Sequence, residues 1–346
     1  MTQFLKRPGN FLFVAVALFA TGVFAQQTEH PSLGLVNQEG APDGIGMFLT
    51  ADGSTWRSNA AIPQSGGLAQ TTTAPSSDGT SLYLIGGGIG GALIPTNVVR
   101  KYDSLSDTWS TLTPIPQTGG IRAFGSAVTI GGCVYVFGGY DGTSVLNTLH
   151  IYHEDGGTWS RGTDMPGPRF GPAVATDGAV IWVIGGFGGD FLETNTVWRY
   201  ELSSNSWTTT YAAMPIPRGR IHGVELPNGT VHVFAGGFDG VDHRVYDTVA
   251  NSWSVAAAMP FGVTDPATIY YPCAGKIYLA GGGGPAPRGQ GHTQIFDPGT
   301  GMWTQGSLMP APALDNTSGA LLGATFYFEG GFNGADAVTN NYSLDL

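Results

Sequence analysis

The chain has 346 residues, of which 55 are glycine and 22 are proline, and its formal net charge is −11. So much glycine and proline would break long helices, which argues against a large α-helical protein. Hydrophobic residues make up 42% and charged residues 11%, whereas a disordered chain needs low hydrophobicity and high charge. These values favour an all-β fold with many tight turns.

The first 25 residues have the three-part pattern of a secretory signal peptide. Lys6 and Arg7 precede an apolar stretch over residues 11–20, and small residues follow up to Ala25. The apolar stretch is shorter than the roughly 20 residues of a membrane span, and an uncleaved anchor is the alternative. We therefore predict that residues 1–25 are a signal peptide and that the protein is exported, either secreted or periplasmic.

Cleavage after Ala25 would remove two of the 14 basic residues and none of the 25 acidic ones, giving 12 − 25 = −13. A chain of this charge is a poor partner for nucleic acid or an anionic membrane, and we expect neither. No later segment of the sequence is apolar and long enough to cross a bilayer, so we expect no membrane span after cleavage.

A short apolar run that ends in a glycine doublet occurs six times, with Ala235 in place of one glycine. The copies are Leu82–Gly87, Val134–Gly139, Ile181–Gly186, Val231–Gly236, Ile277–Gly282 and Phe326–Gly331. Five copies are followed by an aromatic residue seven positions before a tryptophan. These pairs are Tyr102 and Trp109, Tyr152 and Trp159, Tyr200 and Trp207, Tyr246 and Trp253, and Phe296 and Trp303. A repeat of about 50 residues indicates a repeat architecture.

Glycine doublet, tyrosine and tryptophan at this spacing resemble the kelch repeat family, over roughly residues 54–346. The resemblance implies an all-β, six-bladed kelch β-propeller with four-stranded blades. Trp56 lacks a preceding repeat and Tyr342 lacks a following tryptophan. We therefore expect the strand near Trp56 to complete the C-terminal blade and close the ring. Residues 26–53 are expected to form an N-terminal arm.

The two cysteines fall in blades that are opposite each other in a ring of six. Cys133 precedes the second strand of blade 2, and Cys273 has a similar place in blade 5. A disulfide requires Cα atoms within about 7 Å of each other. We expect two unpaired thiols, buried as small apolar residues.

In the kelch family, ligands meet the loops that enter the inner strands and those that follow the glycine doublets. Arginine recurs in the first set, and its planar guanidinium suits carboxylate, phosphate or sulfate. The alternative is that these arginines pack against loop carbonyls. The predicted ligand-binding residues are Arg122, Arg169, Arg220, His222, Tyr140, Asp141 and Asp239.

Three carboxylates occupy places that hold apolar or small residues in other copies. Glu329 precedes a glycine doublet where the other copies have isoleucine, phenylalanine or alanine. We align Glu225 with alanine and Asp265 with glycine of other inner strands. The aligned residues are Ala127, Ala173 and Ala267 for the first, and Gly125, Gly171 and Gly223 for the second. Burying a carboxylate at an apolar position is costly unless the group is paired or functional. Glu225, Asp265 and Glu329 are therefore the candidate catalytic residues. The alternative is that they form structural salt bridges or face a water-filled channel.

The sequence contains no zinc-protease, nucleophile-elbow or phosphate-loop motif, and we predict no metal and no cofactor. The repeat is also similar to the central domain of galactose oxidases and to the six-bladed bacterial sialate mutarotases. We interpret the chain as an exported binding or scaffold propeller that recognises a carbohydrate or protein ligand, neutral or anionic, at one mouth. The alternatives are an enzyme acting on an acidic sugar, like a mutarotase or epimerase, and a purely structural propeller in a surface assembly. In the enzyme, Arg169 and Arg220 would hold the carboxylate while Glu225 or Glu329 moves the proton.

Overall fold

The structure is a computed structural model that describes residues 55–116, 123–236, 240–283, 291–310 and 318–346. Regular structure in these residues is entirely β. Among them there is no helix with the length and apolar character that a membrane crossing requires. The predicted signal peptide and N-terminal arm lie outside the described residues, as do Arg122 and Asp239.

The described residues form twenty-six strands. In chain order they are β1 (Trp56–Ser58), β2 (Thr72–Pro75), β3 (Ser81–Ile85), β4 (Gly88–Ile89), β5 (Ile94–Pro95), β6 (Val99–Asp103), β7 (Thr108–Thr111), β8 (Ser126–Ile130), β9 (Cys133–Phe137), β10 (Leu149–His153), β11 (Thr158–Arg161), β12 (Ala173–Thr176), β13 (Val180–Ile184), β14 (Val197–Glu201), β15 (Ser206–Thr208), β16 (Ile221–Glu225), β17 (Thr230–Ala235), β18 (His243–Asp247), β19 (Ser252–Val255), β20 (Ala267–Tyr271), β21 (Lys276–Ala280), β22 (Thr293–Asp297), β23 (Met302–Gln305), β24 (Ser318–Leu322), β25 (Thr325–Glu329) and β26 (Asn341–Asp345).

These strands build six antiparallel four-stranded blades, which confirms the predicted six-bladed β-propeller. Blades 1 to 5 have the orders β2-β3-β6-β7, β8-β9-β10-β11, β12-β13-β14-β15, β16-β17-β18-β19 and β20-β21-β22-β23, and blade 6 has β24-β25-β26-β1. The inner strand of each blade contacts that of the next, and β24 contacts β2, so the ring is closed. Strands β4 and β5 form a small hairpin in a loop of blade 1. Both faces of each sheet pack on neighbouring blades, which explains the low share of charged residues.

The N-terminal strand β1 completes blade 6 by pairing with β26, as predicted from the unmatched Trp56. Tyr342 lies on β26, as expected, but it is not the residue opposite Trp56. Trp56 lies opposite Leu344, whereas Tyr342 lies opposite Ser58. Leu344 therefore occupies the place that Tyr102 has opposite Trp109 in blade 1. The sequence misleads because the segment between glycine doublet and third strand differs in length from blade to blade, so spacing alone does not fix the register.

The repeated tryptophans tie each blade to the one before it. In five blades the indole N–H donates to a backbone carbonyl of the preceding blade or its connection, at 2.8 to 2.9 Å. The donor and acceptor residues are Trp109 and Ala60, Trp159 and Thr113, Trp207 and Thr163, Trp253 and Ala212, and Trp303 and Ala257. Trp56 makes the corresponding bond to the carbonyl of Ser307 at 3.3 Å. The repeat therefore encodes blade-to-blade contacts as well as strands.

Both cysteines are free, which confirms the predicted unpaired thiols, but their expected burial was wrong. Cys273 is exposed and Cys133 is half-buried. Cys273 lies in the turn that joins β20 to β21, where the chain is at the surface. The Cys133 thiol lies 3.4 Å from Nδ1 of His153 on the paired strand. Burial raises the pKa of the Cys133 thiol, and the nearby carboxylates of Asp155 and Glu154 raise it further, so the thiol is not activated.

Candidate functional site

Five residues that precede the inner strands form a collar at one end of the central channel. Gln70, Phe124, Gly171, Arg220 and Asp265 all have positive φ, between 48° and 58°. Backbone hydrogen bonds join neighbours in this collar: Phe124 donates to Gln70 at 2.8 Å, Gly171 to Phe124 at 3.0 Å, and Asp265 to Arg220 at 3.2 Å. Left-handed backbone is uncommon for residues other than glycine and persists where the surroundings enforce it. The collar therefore holds its side chains at one level around the channel mouth.

Arg220 and Asp265 form an ion pair between blades 4 and 5 within this collar. Nε of Arg220 bonds to Oδ2 of Asp265, whose side chain is only 7% exposed. The guanidinium also lies 5.7 Å from the ring centroid of Phe124. Because a carboxylate already neutralises Arg220, the pair is a weak attractor for an anionic ligand. This geometry fits the salt-bridge alternative for Asp265.

Strand register corrects two of the sequence alignments. The residue before each glycine doublet lies opposite a residue near the start of the inner strand; these partners are Thr72, Ser126, Ala173, His222, Ala267 and Ser318. Glu225 lies three residues after His222. The residues at the same position in the other blades are Pro75, Thr129, Thr176, Tyr270 and Leu321, none of which is alanine. Asp265 corresponds to the other collar residues, so its match to Gly171 is confirmed and those to Gly125 and Gly223 were wrong. The errors arose because the loops before the inner strands differ in length.

Glu329 is fully buried between blades 6 and 1. The Thr73 hydroxyl donates to its Oε2 at 3.2 Å. Its Oε1 has no hydrogen-bond partner among the described residues. Burial raises the pKa of Glu329 to about 8, against the opposing effect of the Thr73 hydrogen bond. The carboxyl group therefore keeps its proton at neutral pH.

Glu225 lies at the other end of the inner strand, between blades 3 and 4. Burial raises its pKa to about 7, with a further increase from Asp177, while Trp182 and Arg199 lower it. The collar holds Asp265 and the interface of blades 6 and 1 holds Glu329, so the three acids do not share a pocket. A general acid–base pair needs both groups within reach of one substrate, and these acids lack that arrangement.

Arg169 is a buried loop residue rather than a group that faces solvent. Its guanidinium donates to the Pro168 carbonyl at 2.6 Å and to the Thr196 hydroxyl at 2.9 Å. It also lies 4.0 Å above the Trp198 ring. Burial lowers the pKa of Arg169 to about 10. Arg218 has the same place in blade 4 and donates to the Pro217 carbonyl at 3.2 Å, so the recurring arginine holds a proline loop.

Tyr140 and Asp141 are engaged within their own loop. The Tyr140 hydroxyl donates to the Gly142 carbonyl at 2.7 Å. Oδ1 of Asp141 accepts from the backbone N–H groups of Thr143 and Ser144 at 2.8 and 2.7 Å. These contacts shape the loop, and Tyr140, which is buried, supports it from within.

A feature that the sequence analysis missed is an exposed apolar arc on the collar side of blades 1 to 3. We define the apolar arc as Ile94, Pro95, Phe191 and Leu192, with the buried Tyr140 packed beneath it. Ile94 is 63% exposed and Leu192 is 65% exposed. The rings of Tyr140 and Phe191 lie 5.8 Å apart, centroid to centroid. Large apolar residues in loop tips after the glycine doublets were the available signal, because polar residues are usual there.

Below the apolar arc, aromatic rings connect it to the collar. Phe170 stacks on Phe187 with ring centroids 4.7 Å apart. Phe170 also lies 6.1 Å from Phe191 and 5.5 Å from Phe124. The tip of the blade 3 loop therefore rests on packed aromatic rings, and Phe191 itself has a positive φ of 61°. Such support gives the arc a preformed shape.

The central channel contains a cavity of about 290 Å³, lined by all six inner strands and the residues next to them. His222 and several threonines contribute to its wall, and among the described residues that line it there is no Asp, Glu, Lys or Arg. Burial lowers the pKa of His222, while Asp265 raises it and Arg220 lowers it. Within the described residues, no cluster of three or more His, Cys, Asp or Glu side chains could hold a metal ion.

Comparison with known proteins identifies the repeat. The profile of the KLHDC2/KLHL20/DRC7 Kelch-repeats domain matches residues 34–237, more than half of the chain. The chain belongs to the Kelch-repeat family. This Kelch propeller is 28% identical over 204 residues to Kelch-like protein terF of Aspergillus terreus, covering 53% of the chain and 42% of terF. It is 30% identical over 208 residues to mouse Kelch-like protein 35, covering 57% of the chain and 34% of that protein.

The match thus spans less than half the length of these two relatives. Among solved structures, the Kelch propeller resembles the structure of YjhT with a TM-score of 0.68 and 16% identity. That similarity covers 82% of this chain and 95% of the YjhT chain. At this identity the likeness concerns the fold alone.

Proposed function

We propose that this Kelch propeller is an exported binding protein whose apolar arc holds a segment of another protein. The observation that carries the proposal is the exposure of Ile94 in blade 1 and Leu192 in blade 3, at 63% and 65%, on one face of the ring. Large apolar side chains exposed together on one face of a folded protein are typical of an interaction site. The leader-like residues 1–25 support export.

The arc has the chemistry of a protein interface. Aliphatic tips stand beside aromatic rings, and the neutralised Arg220–Asp265 pair at the collar adds polar groups without a strong net charge. Protein interfaces combine an apolar centre with aromatic residues, arginine and a polar rim. The packed rings of Phe170 and Phe187 reduce the ordering cost of binding, because the surface is formed before the partner arrives.

An enzyme acting on an acidic sugar has weaker support. Arg169 is committed to the Pro168 carbonyl and the Thr196 hydroxyl, and Arg220 is paired with Asp265. Neither guanidinium is free to hold a substrate carboxylate without losing a buried partner, which is costly. The binding propeller is therefore our conclusion for the function of the collar face.

The test compares two serine variants of the mature chain. Ile94→Ser with Leu192→Ser removes both aliphatic tips of the arc. The control is Leu105→Ser, which changes a side chain that is 84% exposed in the β6–β7 turn at the opposite face. Binding is measured by biolayer interferometry against peptides selected on a peptide array with the unaltered chain.

We expect the double variant to lose at least about tenfold in affinity, since two interface anchors are removed. Leu105→Ser should bind as the unaltered chain does. Equal binding by the double variant, or binding only to a parallel glycan array, would contradict a protein-binding arc.

A further inference from the structure

Four carboxylates lie in the loops that carry the apolar arc or border it. In blade 3, Asp190 and Glu193 stand immediately before and after the two arc residues. Asp141 follows the glycine doublet of blade 2, and Asp336 lies in the corresponding loop of blade 6. We define the acidic rim as Asp141, Asp190, Glu193 and Asp336. Because each of these loops joins the second strand of its blade to the third, the acidic rim is on the same face of the ring as the apolar arc.

Short contacts hold two rim carboxylates against the arc. Oδ1 of Asp190 accepts from the backbone N–H of Leu192 at 3.1 Å. In the β4–β5 hairpin that carries Ile94, a Cβ atom on Gly91 would lie only 2.9 Å from Oδ1 of Asp336. The Asp336 carboxylate therefore packs against this hairpin from blade 6. Both aspartates are exposed, so each presents its charge at a loop of the arc.

The other two rim carboxylates are half-buried and bond to backbone N–H groups. Asp141 bonds to its own loop through Oδ1, and Oε1 of Glu193 accepts from the N–H of Gly219 at 3.1 Å. A Cβ atom on Gly142 would lie 3.8 Å from the Pro95 ring, so the Asp141 loop also borders the arc. Among the described residues, the second oxygen of each carboxylate makes no hydrogen bond. Each therefore keeps an oxygen that a cationic group of a partner can neutralise.

Ion pairing within the fold leaves the acidic rim largely uncompensated. None of its members forms an ion pair with another described residue. Burial lowers the pKa of Arg169 and Asp190 raises it, so these two groups interact at longer range. The Arg169 guanidinium is bonded to Pro168 and Thr196 and is covered by the fold. One buried cation is thus set against four carboxylates.

Three further arginines near this face are held by acids that do not belong to the rim. Arg220 pairs with Asp265 in the collar. In blade 4, Nε of Arg218 and Nε of Arg244 lie 3.7 and 2.9 Å from the carboxylate of Asp242. The three arginine side chains are between 16% and 26% exposed. The exposed charge next to the arc is therefore negative, the reverse of what the arginines in the sequence suggested.

We propose that the partner segment held by the apolar arc is cationic and amphipathic, with lysine or arginine side chains beside its apolar ones; this inference rests on the protein-binding function proposed for the arc. Complementary charge around an apolar centre selects partners and speeds their association. The formal charge of −13 after the predicted cleavage acts in the same direction at longer range. Lysine and arginine also suit an apolar surface, because their methylene stems cover it while the charged ends reach the rim carboxylates.

The test measures how the mature chain binds three sets of synthetic peptides. Each peptide has about nine residues, which span about 30 Å when extended. All carry leucine or phenylalanine at alternate positions, and the sets differ only in having lysine, serine or glutamate at the others. Biolayer interferometry gives the association and dissociation rates at low and high salt.

Two pairs of neutral substitutions isolate the acidic rim. The rim variant, Asp190→Asn with Asp336→Asn, removes the two exposed rim charges, while the asparagine Oδ1 can still accept from the Leu192 N–H. The control variant is Asp103→Asn with Asp247→Asn. These aspartates lie at the opposite face, where each accepts from two backbone N–H groups in the turn after β6 or β18. Both variants change the net charge equally, so a difference between them reports the position of the charges.

We expect the lysine peptides to bind most tightly and the rim variant to bind them about three- to tenfold more weakly, mainly through slower association. The control variant should stay within about twofold of the unaltered chain. Raising the salt from about 0.05 to about 0.5 M should weaken binding to the unaltered chain more than binding to the rim variant.

The outcomes separate a cationic partner from the protein-binding arc on which it rests. Serine or glutamate peptides that bind at least as tightly as lysine peptides, or equal losses in the rim and control variants, would overturn the cationic partner. The arc would still stand if the bound peptides lost affinity for the Ile94→Ser, Leu192→Ser double variant. Peptides that bind this double variant unchanged, or three sets that all fail to bind, would overturn the arc and the cationic partner together.

Discussion

The indole N–H of Trp56 donates to the hydroxyl of Thr293 at 3.0 Å, between residues 237 positions apart. Trp56 lies in β1, which completes blade 6, and Thr293 begins β22 in blade 5. The same N–H also reaches the Ser307 carbonyl at 3.3 Å. The closing strand is therefore held both by its own sheet and by the neighbouring blade.

Replacing Trp56 tests this closure. Trp56→Phe removes the donor and leaves the buried Thr293 hydroxyl short of a partner, so we expect a loss of about 1–2 kcal/mol in the free energy of unfolding. Trp56→Ala also leaves a cavity beside Phe326 and Phe328 and should cost about 3–5 kcal/mol. Urea unfolding followed by circular dichroism measures both. Trp207→Ala, in a blade closed by consecutive strands, is the comparison, and a smaller loss for Trp56→Ala would contradict the closure role.

Glu329 should make the protein less stable as the pH rises. Its folded pKa of about 8 is above the ordinary value of 4.5, so the folded chain holds a proton that the unfolded chain releases between these values. The free energy of unfolding should fall by up to about 1.4 kcal/mol per pH unit from about 4.5 to about 8 and then level off. Glu329→Gln should flatten this dependence.

Thermal melting across this pH range measures the effect. Glu225→Gln is the comparison, because the pKa of Glu225 is raised only to about 7 and its contribution should level off earlier. An unchanged pH dependence in Glu329→Gln would show that the buried carboxyl is not the source.

The buried pair His232 and His243 should make blade 4 sensitive to acid. Nδ1 of His232 lies 2.9 Å from Nε2 of His243, and burial lowers their pKa values to about 4 and about 3. Both are neutral in the folded chain, whereas the unfolded chain takes up protons below about 6.5. Stability present above pH 6.5 is therefore lost as the pH falls toward these folded pKa values.

His232→Tyr introduces the residue type that Tyr83 and Tyr278 represent at this place in other blades. We expect its acid unfolding midpoint to move to lower pH. Tryptophan fluorescence reports the change, because the His243 ring lies 5.6 Å from that of Trp303. A midpoint that stays fixed or moves upward would rule out the histidine pair as the acid-sensitive element.

We expect Arg220 and Asp265 to stabilise the folded chain only when both are present. Arg220→Phe alone leaves a nearly buried carboxylate without its partner, and we expect a loss of about 3 kcal/mol or more. Adding Asp265→Gly should recover much of this loss, because phenylalanine and glycine occupy the collar in blades 2 and 3. Glycine also relieves the positive φ at position 265. A double-mutant cycle in urea measures the coupling; additive losses would show that the two side chains act separately.

The sequence predicted the blades well because their signals are local. Alternating strands recur in every unit, while complete glycine doublets and tryptophans at fixed spacing each recur in five of the six, and the contacts they make repeat with them. Loop lengths do not repeat, so Glu225 was matched to the wrong positions. A shift of a few residues moves a side chain along the strand or to its other face, which is why register required the structure.

The candidate site was less accessible to sequence analysis. Arginine in the proline loops suggested an anion site, but burial against Trp198 and a loop carbonyl uses that charge within the fold. The apolar arc depends on loops from three blades that meet only in the closed ring. His222 could be singled out from the sequence, whereas its position on the channel wall could not.

By itself, the sequence determined that this chain is a six-bladed propeller closed by its N-terminal strand, because strand periodicity and repeat spacing are properties of neighbouring residues. Only the tertiary structure decided that Asp265 pairs with Arg220 and that Glu329 and Glu225 lie far from a common pocket. Ion pairing, burial and pKa depend on which residues the closed ring brings together from different blades. The distances between those residues in space cannot be read from their order in the sequence.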